Sequence, residues 1–298
     1  MSSLYSHKES NIAKTWLLMV VFLCLIVVLG WFFGRVYNAP ELVYIAVIFS
    51  LVMNVSSYWY SDTLALSLSG ARPASREEFF DLYTVTENLS ITAGVPMPRI
   101  YVISDDAPNA FATGRNPEHA TIAVTTGLLR VLDRAELEGV VAHELSHIRN
   151  WDILLSTVVV IVVGFIVVLS DFFMRSSFRM RGNDDSRGNT LFILIGFVLA
   201  ILTPIAGMCI QLAISRKREF LADASGALLT RYPEGLAKAL EKISSYTQPM
   251  KRVNKATAHL FISSPLGGTQ EKKSEFFGKL FLTHPPVSER IAALLGTR

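Results

Sequence analysis

His143-Glu144-Leu145-Ser146-His147 sets two imidazoles four residues apart with a carboxylate beside the first. On an α-helix, residues i and i+4 project from one side a turn apart, so both rings can meet a single ion. A catalytic zinc takes three protein ligands and keeps a fourth position for a water whose pKa falls to about 7. Glu144 is placed to take that water's proton. The competing reading is a chance pair of surface histidines, and the local sequence weighs against it. Asp133 precedes an apolar-periodic run and Glu136 follows three residues later, the signature of a capped helix starting near Arg134. Leu137, Val140, Val141, Leu145 and Ile148 then recur at three- and four-residue steps, as on a helix with one buried face.

Two histidines leave the ion one protein ligand short. Glu219, Asp223, His259 and His284 are the downstream candidates. Residues 216–229 read as a helix, with Phe220, Ala224, Ala227 and Leu228 expected to pack on the HExxH helix. Glu219 and Asp223 share one face of it. One carboxylate can bind the metal while the other accepts the outer N–H of a ligand histidine and fixes its tautomer. The expectation is Glu219 as ligand and Asp223 as orienter, against a solvated charge face of Arg218, Glu219 and Asp223.

The elements around these residues belong to a membrane protein. The chain of 298 residues is 51% hydrophobic and 18% charged, with a mean hydropathy of +0.38, too apolar for an ordinary soluble domain. Cys24 and Cys209 both fall in apolar runs, so no disulfide framework or CxxC metal site is present. The net charge of +3 suits loops beside anionic lipid. No basic patch with interleaved aromatics points to nucleic acid.

Four transmembrane helices are predicted, at 15–33, 42–60, 153–170 and 190–214. The first is uncharged, longer than a signal-peptide core, and followed by an aromatic belt at Trp31 and Phe32, so it reads as a retained anchor. This divides the chain into an N-terminal transmembrane hairpin (1–60), a first part of the catalytic domain (61–152), a second hairpin (153–214) and a second catalytic part (215–298). An even number of spans between them puts both catalytic parts on one side. Lys8, Lys14, Arg216, Lys217 and Arg218 assign that side as cytoplasmic, although the opposite loop carries Arg175, Arg179, Arg181 and Arg187. Within 61–152, Ser75 and Glu78 form a second capping box, opening a helix that ends at Gly94. Residues 99–104 read as a strand, 105–108 as a turn, and 109–114 with 120–125 as a hairpin around Asn116-Pro117. Asn109, Ala110, Phe111 and Ala112 are then either plain sheet structure or an edge that pairs with extended peptide.

The runs His143 to His147, Arg218-Glu219-Phe220-Leu221-Ala222-Asp223, Asn109-Ala110-Phe111-Ala112-Thr113-Gly114 and Thr283-His284-Pro285-Pro286 together resemble the HtpX-type membrane zinc peptidases, relatives of the CAAX prenyl proteases. The resemblance implies a membrane α-helical protein with a cytoplasmic α+β zincin-like catalytic domain and one Zn2+ per chain. It makes His143, His147 and Glu219 the ligands, Glu144 the catalytic glutamate, and Asp223 the acidic residue beside them. Asn109 to Ala112 would line the substrate cleft. His284 would stabilise the oxyanion or cap the last helix, which Arg290 would lock. Protein or peptide substrates follow, with degradation of misfolded membrane proteins at the cell inner membrane under stress. Processing of a defined lipidated or signal-derived peptide is the alternative enzyme. A non-catalytic scaffold or chaperone is the alternative class, and it has no chemical need for Glu144. A transporter is disfavoured, since no ionisable residue sits at the centre of a span.

Overall fold

The computed structural model of the chain describes residues 4–180, 205, 207, 209, 215–254, 256–267 and 285–296. The apolar N-terminal sequence forms helices α1 (Leu4–Val36) and α2 (Glu41–Ser69), because a helix pairs every main-chain polar group within its own segment. Lys8–Val36 and Glu41–Tyr60 are each long and apolar enough to cross a membrane. Helix α2 runs on past the expected end of the hairpin at residue 60 and stops at Gly70, which takes the left-handed conformation (φ +67°).

A mixed four-stranded sheet follows, with β1 (Ala71–Pro73), β2 (Arg99–Ile103), β3 (Ala110–Gly114) and β4 (Ala120–Thr125) in the order β1-β2-β4-β3. β2 and β4 are parallel and the other pairs antiparallel. The expected hairpin is present, with Phe111 opposite Ala123 and Thr113 opposite Thr121. Its turn is held by Asn116, whose Oδ1 accepts from the His119 N–H at 2.9 Å. β3 lies at one edge of the sheet. Helix α3 (Phe80–Ala93) starts later than its capping box suggested. Ser75 Oγ does accept from the Glu78 N–H at 3.2 Å, but the Glu78 carboxylate is taken by Arg72 at 2.6 Å. Residues 76–79 therefore make a turn, and the helix begins at Phe80.

After the short α4 (Thr126–Val131) comes α5 (Arg134–Arg149), which carries the HExxH run. Its capping box closes in both directions. Asp133 Oδ1 accepts from the Glu136 N–H at 2.9 Å and Glu136 Oε2 from the Asp133 N–H at 2.8 Å. The apolar face read from the sequence, Leu137, Val140, Val141, Leu145 and Ile148, is buried. It packs with Leu82 and Val85 of α3, Ile122 and Val124 of β4, and Leu236 and Leu240 of α8 (Pro233–Ser245). Helix α7 (Arg216–Thr230) and the closing α9 (Val287–Leu295) complete this body.

Helix α6 (Asp152–Met180) covers the third expected span and continues through Arg175 and Arg179, which were expected in a loop. It qualifies as membrane-crossing only jointly with α5, as a pair bent by 83°. The described residues thus give two candidate spans, or three if the bent pair is one, rather than four. The fourth expected span, 190–214, lies outside the described residues apart from 205, 207 and 209. Leu155, Val158, Val159 and Val162 of α6 are buried against Leu18 and Phe22 of α1, Leu66 of α2, and Phe111 of β3. One apolar core therefore joins the N-terminal hairpin to the sheet.

Candidate metal centre

Helix α5 ends at Asn150, and Trp151 turns the chain through the left-handed region (φ +59°) before α6 starts at Asp152. A bulky residue rarely adopts that conformation. The corner returns the Asp152 side chain beneath α5, where Oδ2 meets His147 Nδ1 at 2.9 Å. The second helix to reach the site is α7. Its inward face is Glu219, Ala222, Asp223 and Gly226, the i, i+3, i+4, i+7 stripe. Of the expected face of Phe220, Ala224, Ala227 and Leu228, none is fully buried: Ala224 is exposed and Leu228 is 79% exposed, while Phe220 and Ala227 are half-buried. Small residues face α5 because the helices come close. A Cβ added at Gly226 would stand 3.1 Å from His143 N.

That approach brings Glu219 to the two histidines. His143 Nε2 and His147 Nε2 are 3.2 Å apart. Glu219 Oε2 is 3.8 Å from the first, and Glu219 Oε1 is 3.6 Å from the second. One ligand atom from each residue falls within a 4.8 Å cluster that could hold a metal ion. Both outer nitrogens face carboxylates: His143 Nδ1 lies 2.9 Å from Asp223 Oδ1, and His147 Nδ1 meets Asp152. With the Nδ1 protons given to those carboxylates and both rings neutral, two Nε2 lone pairs converge, an arrangement a cation between them would satisfy. Nitrogens about 2.05 Å from a tetrahedral zinc stand about 3.3 Å apart, so the donor set fits that ion.

Asp223 is itself fixed by Arg290 of α9, a side chain with no solvent exposure. Arg290 Nε donates to Asp223 Oδ2 at 2.8 Å and Nη2 to Asp223 Oδ1 at 2.7 Å, a bidentate pair. Burial acts to raise the Asp223 pKa, but the hydrogen bonds from Arg290 and His143 outweigh it and hold the carboxyl at about 2. Burial likewise acts against a charge on His147. The Asp152 hydrogen bond and the charges of Glu219, Asp152 and Glu144 win, pushing its pKa up to about 9.

Glu144 is buried and lines a small cavity of about 40 Å³ with Ala112, both histidines, Glu219, His259 and Ile262. His259 Nε2 sits 3.0 Å from the Ser156 carbonyl, outside the three-residue cluster. Of the four residues expected along the cleft, only Ala112 lines this cavity. Phe111 is buried against Phe261, with ring centroids 4.9 Å apart. The Asn109 side chain holds the Ser263 main chain in both directions, at 2.9 and 3.2 Å, and the Ala110 carbonyl accepts from the Ile262 N–H at 2.9 Å. His284 lies outside the described residues. Sequence reasoning missed Asp152. Its position just past a helix end reads as an ordinary start for the next helix, and only the left-handed Trp151 returns it to His147.

Residues 76–298 match the family described as peptidase family M48. Two proteins, each described as a protease HtpX homolog, are similar over nearly the full length. The one from Caldanaerobacter subterraneus subsp. tengcongensis is 47% identical over 300 residues, covering 98% of this chain and 97% of the relative. The one from Thermoanaerobacter pseudethanolicus is 45% identical over 300 residues, with the same shares. The crystal structure of S. mikatae Ste24p aligns with 97% of this chain and 67% of its own, at 19% identity and a TM-score of 0.49. With most of its length matched by the family, and a near-half-identical relative along the whole of it, the chain belongs to peptidase family M48.

Proposed function

We propose that this protein is a membrane-embedded zinc endopeptidase in which His143, His147 and Glu219 hold one Zn2+ and Glu144 moves the proton. The observation that carries the reading is the convergence of those three ligand groups with both outer imidazole nitrogens already committed to Asp223 and Asp152. Zinc, when bound, polarises a scissile carbonyl and lowers the pKa of a water. Glu144 takes that water's proton as the oxygen adds to the carbonyl carbon, then returns it to the leaving nitrogen as the C–N bond breaks. Asp223 and Asp152 keep the imidazoles in the tautomer that turns Nε2 inward. His284 is assigned to the oxyanion, by resemblance.

Substrate is read through its main chain at β3. Antiparallel pairing turns the polar groups of alternate residues outward, here Ala110, Ala112 and Gly114. The Ala110 carbonyl is taken by Ile262, and the Gly114 N–H reaches Thr157 Oγ1 at 3.2 Å. Ala112, at the cavity, is the pairing point we assign to the peptide. Recognition through main-chain bonds selects extended chain over sequence, which suits quality control of misfolded membrane proteins. The basic flanks of the spans support a catalytic face toward the cytoplasm of a bacterial inner membrane.

The test is casein cleavage by detergent-purified protein, with bound zinc quantified, for the unvaried chain, Glu144→Gln and Glu219→Gln. Stoichiometric zinc in the first two, its loss in Glu219→Gln, and cleavage only by the unvaried chain are expected. Normal cleavage by Glu144→Gln would instead remove the proton-transfer role.

A further inference from the structure

Helix α1 does more than cross a membrane. Asn11, one turn below the uncharged stretch, is 2% exposed. Its Nδ2 donates to Asp152 Oδ1 at 2.7 Å and to the Asn150 carbonyl at 3.0 Å. A carboxamide is costly to bury unless its polar atoms are paired, and both donor hydrogens are used here on one target, the corner between α5 and α6. Asp152 Oδ2 meets His147 Nδ1 with the carboxylate's other oxygen held this way. Arg218 Nη1 also reaches Asp152 Oδ1, at the longer distance of 3.3 Å. Arg218 supplies charge from α7, whereas Asn11 supplies the shorter bond and ties the carboxylate to the strained turn that aims it.

We infer that Asn11 is a positioning residue for the metal centre, acting through Asp152 on the orientation of His147, so that the first membrane helix completes the site. This rests on the metal assignment proposed above. The network is a chain of directed bonds, from the Asn11 carboxamide to the Asp152 carboxylate to the His147 ring. Shifting the first link rotates the last. Helix α1 makes a second, separate contact with the same corner, where Lys8 Nζ lies 4.6 Å from the centre of the Trp151 ring. That contact clamps the corner without touching Asp152, and so provides the control.

The experiment measures zinc affinity by chelator competition on the full chain in detergent, in a Glu144→Gln background that prevents self-cleavage. It also records the visible absorption of the Co2+-substituted protein, which reports ligand geometry. Asn11→Ala is expected to weaken zinc about tenfold, the low end of the loss seen when the partner of a ligand is removed, and to shift the cobalt bands. Asn11→Asp keeps the volume but sets a carboxylate against Asp152, and is expected to weaken zinc further. It also carries the test if Asn11→Ala fails to accumulate. Lys8→Ala is expected to stay within about twofold, because no partner of a ligand is lost. The inference is overturned if both Asn11 variants hold zinc like the parent with unchanged cobalt bands. It is equally overturned if Lys8→Ala loses as much as Asn11→Ala, since the helix would then act as a clamp only. A parent chain that binds no metal would bring down the metal assignment itself, a result distinct from either.

Discussion

In the proposed metal site a proton and the ion would compete for His147. With its pKa pushed up to about 9 in the metal-free protein, the ring is charged at neutral pH, and the proton must leave before Nε2 can bind an ion. The sign follows. Zinc affinity should rise about tenfold per pH unit up to about pH 9 and flatten above it, with about one proton released per ion bound at pH 7. Calorimetry in buffers of different ionisation enthalpy measures that release, and a pH-independent affinity would remove the charged ring from the account. Asp223 has the opposite sense. Its pKa is depressed to about 2, so its stabilising contribution is present above about pH 4 and lost as pH falls through 2. Arg290→Met leaves that carboxylate buried without its cation, a change that costs about 3–5 kcal/mol. It should lower the melting temperature at pH 7 far more than at pH 3. The shared helix faces of His143 with His147 and of Glu219 with Asp223 were legible because a period of 3.6 places them without knowledge of the fold, whereas the choice of Glu219 over a solvated charge face came from the family resemblance. Asp152 and Asn11 were not legible, since one depends on a left-handed corner and the other on a contact between helices distant in the chain.

Among the elements, the close pairing of α5 with α7 sets the distance from Glu219 to the histidines. Gly226 makes that pairing possible, because any Cβ there would press on the α5 backbone at Ala142 and His143. Gly226→Val should push the helices apart, destabilise the fold by about 1–3 kcal/mol, and lower zinc affinity. Gly164→Ala is the control, since its added Cβ would stand 3.6 Å from the Ala256 Cβ, in ordinary contact. If both variants bind zinc equally, the helix spacing does not govern the site. The start and the buried face of helix α5 could be read, because its cap and its apolar stripe are both local signals. The inward face of α7 could not. Its buried stripe is polar and small, so the apolar pattern pointed to the wrong side. The hairpin β3–β4 was legible from its turn, whereas the parallel pairing of β4 with β2 depends on long-range packing.

At the scale of the whole molecule, the N-terminal hairpin and the catalytic body share a core. Lipid chains are as apolar as the helix faces, so in a bilayer this core is held by close packing and by polar clasps rather than by a hydrophobic driving force. Besides Asn11 and Lys8 on α1, α2 offers two. Asp62 pairs with Arg99 of β2 at 2.7 Å, and Trp59 carries the Arg115 guanidinium 4.5 Å from its ring centre. The first holds β2 and the second holds the turn after β3. Arg99 is about half exposed, so its pair is worth about 1 kcal/mol at most, and the cation–π contact is worth a similar amount. A double variant, Asp62→Asn with Trp59→Ala, should therefore melt lower in detergent by no more than about 4–8 °C, at about 2–4 °C per kcal/mol, as is typical of domains of about 150–250 residues. Its zinc affinity should match that of the parent. The contrast with Asn11 is the point of the measurement. If loosening α2 also releases zinc, the hairpin acts on the metal centre as one rigid block. If it does not, the N-terminal hairpin reaches the metal centre through α1 and not through α2.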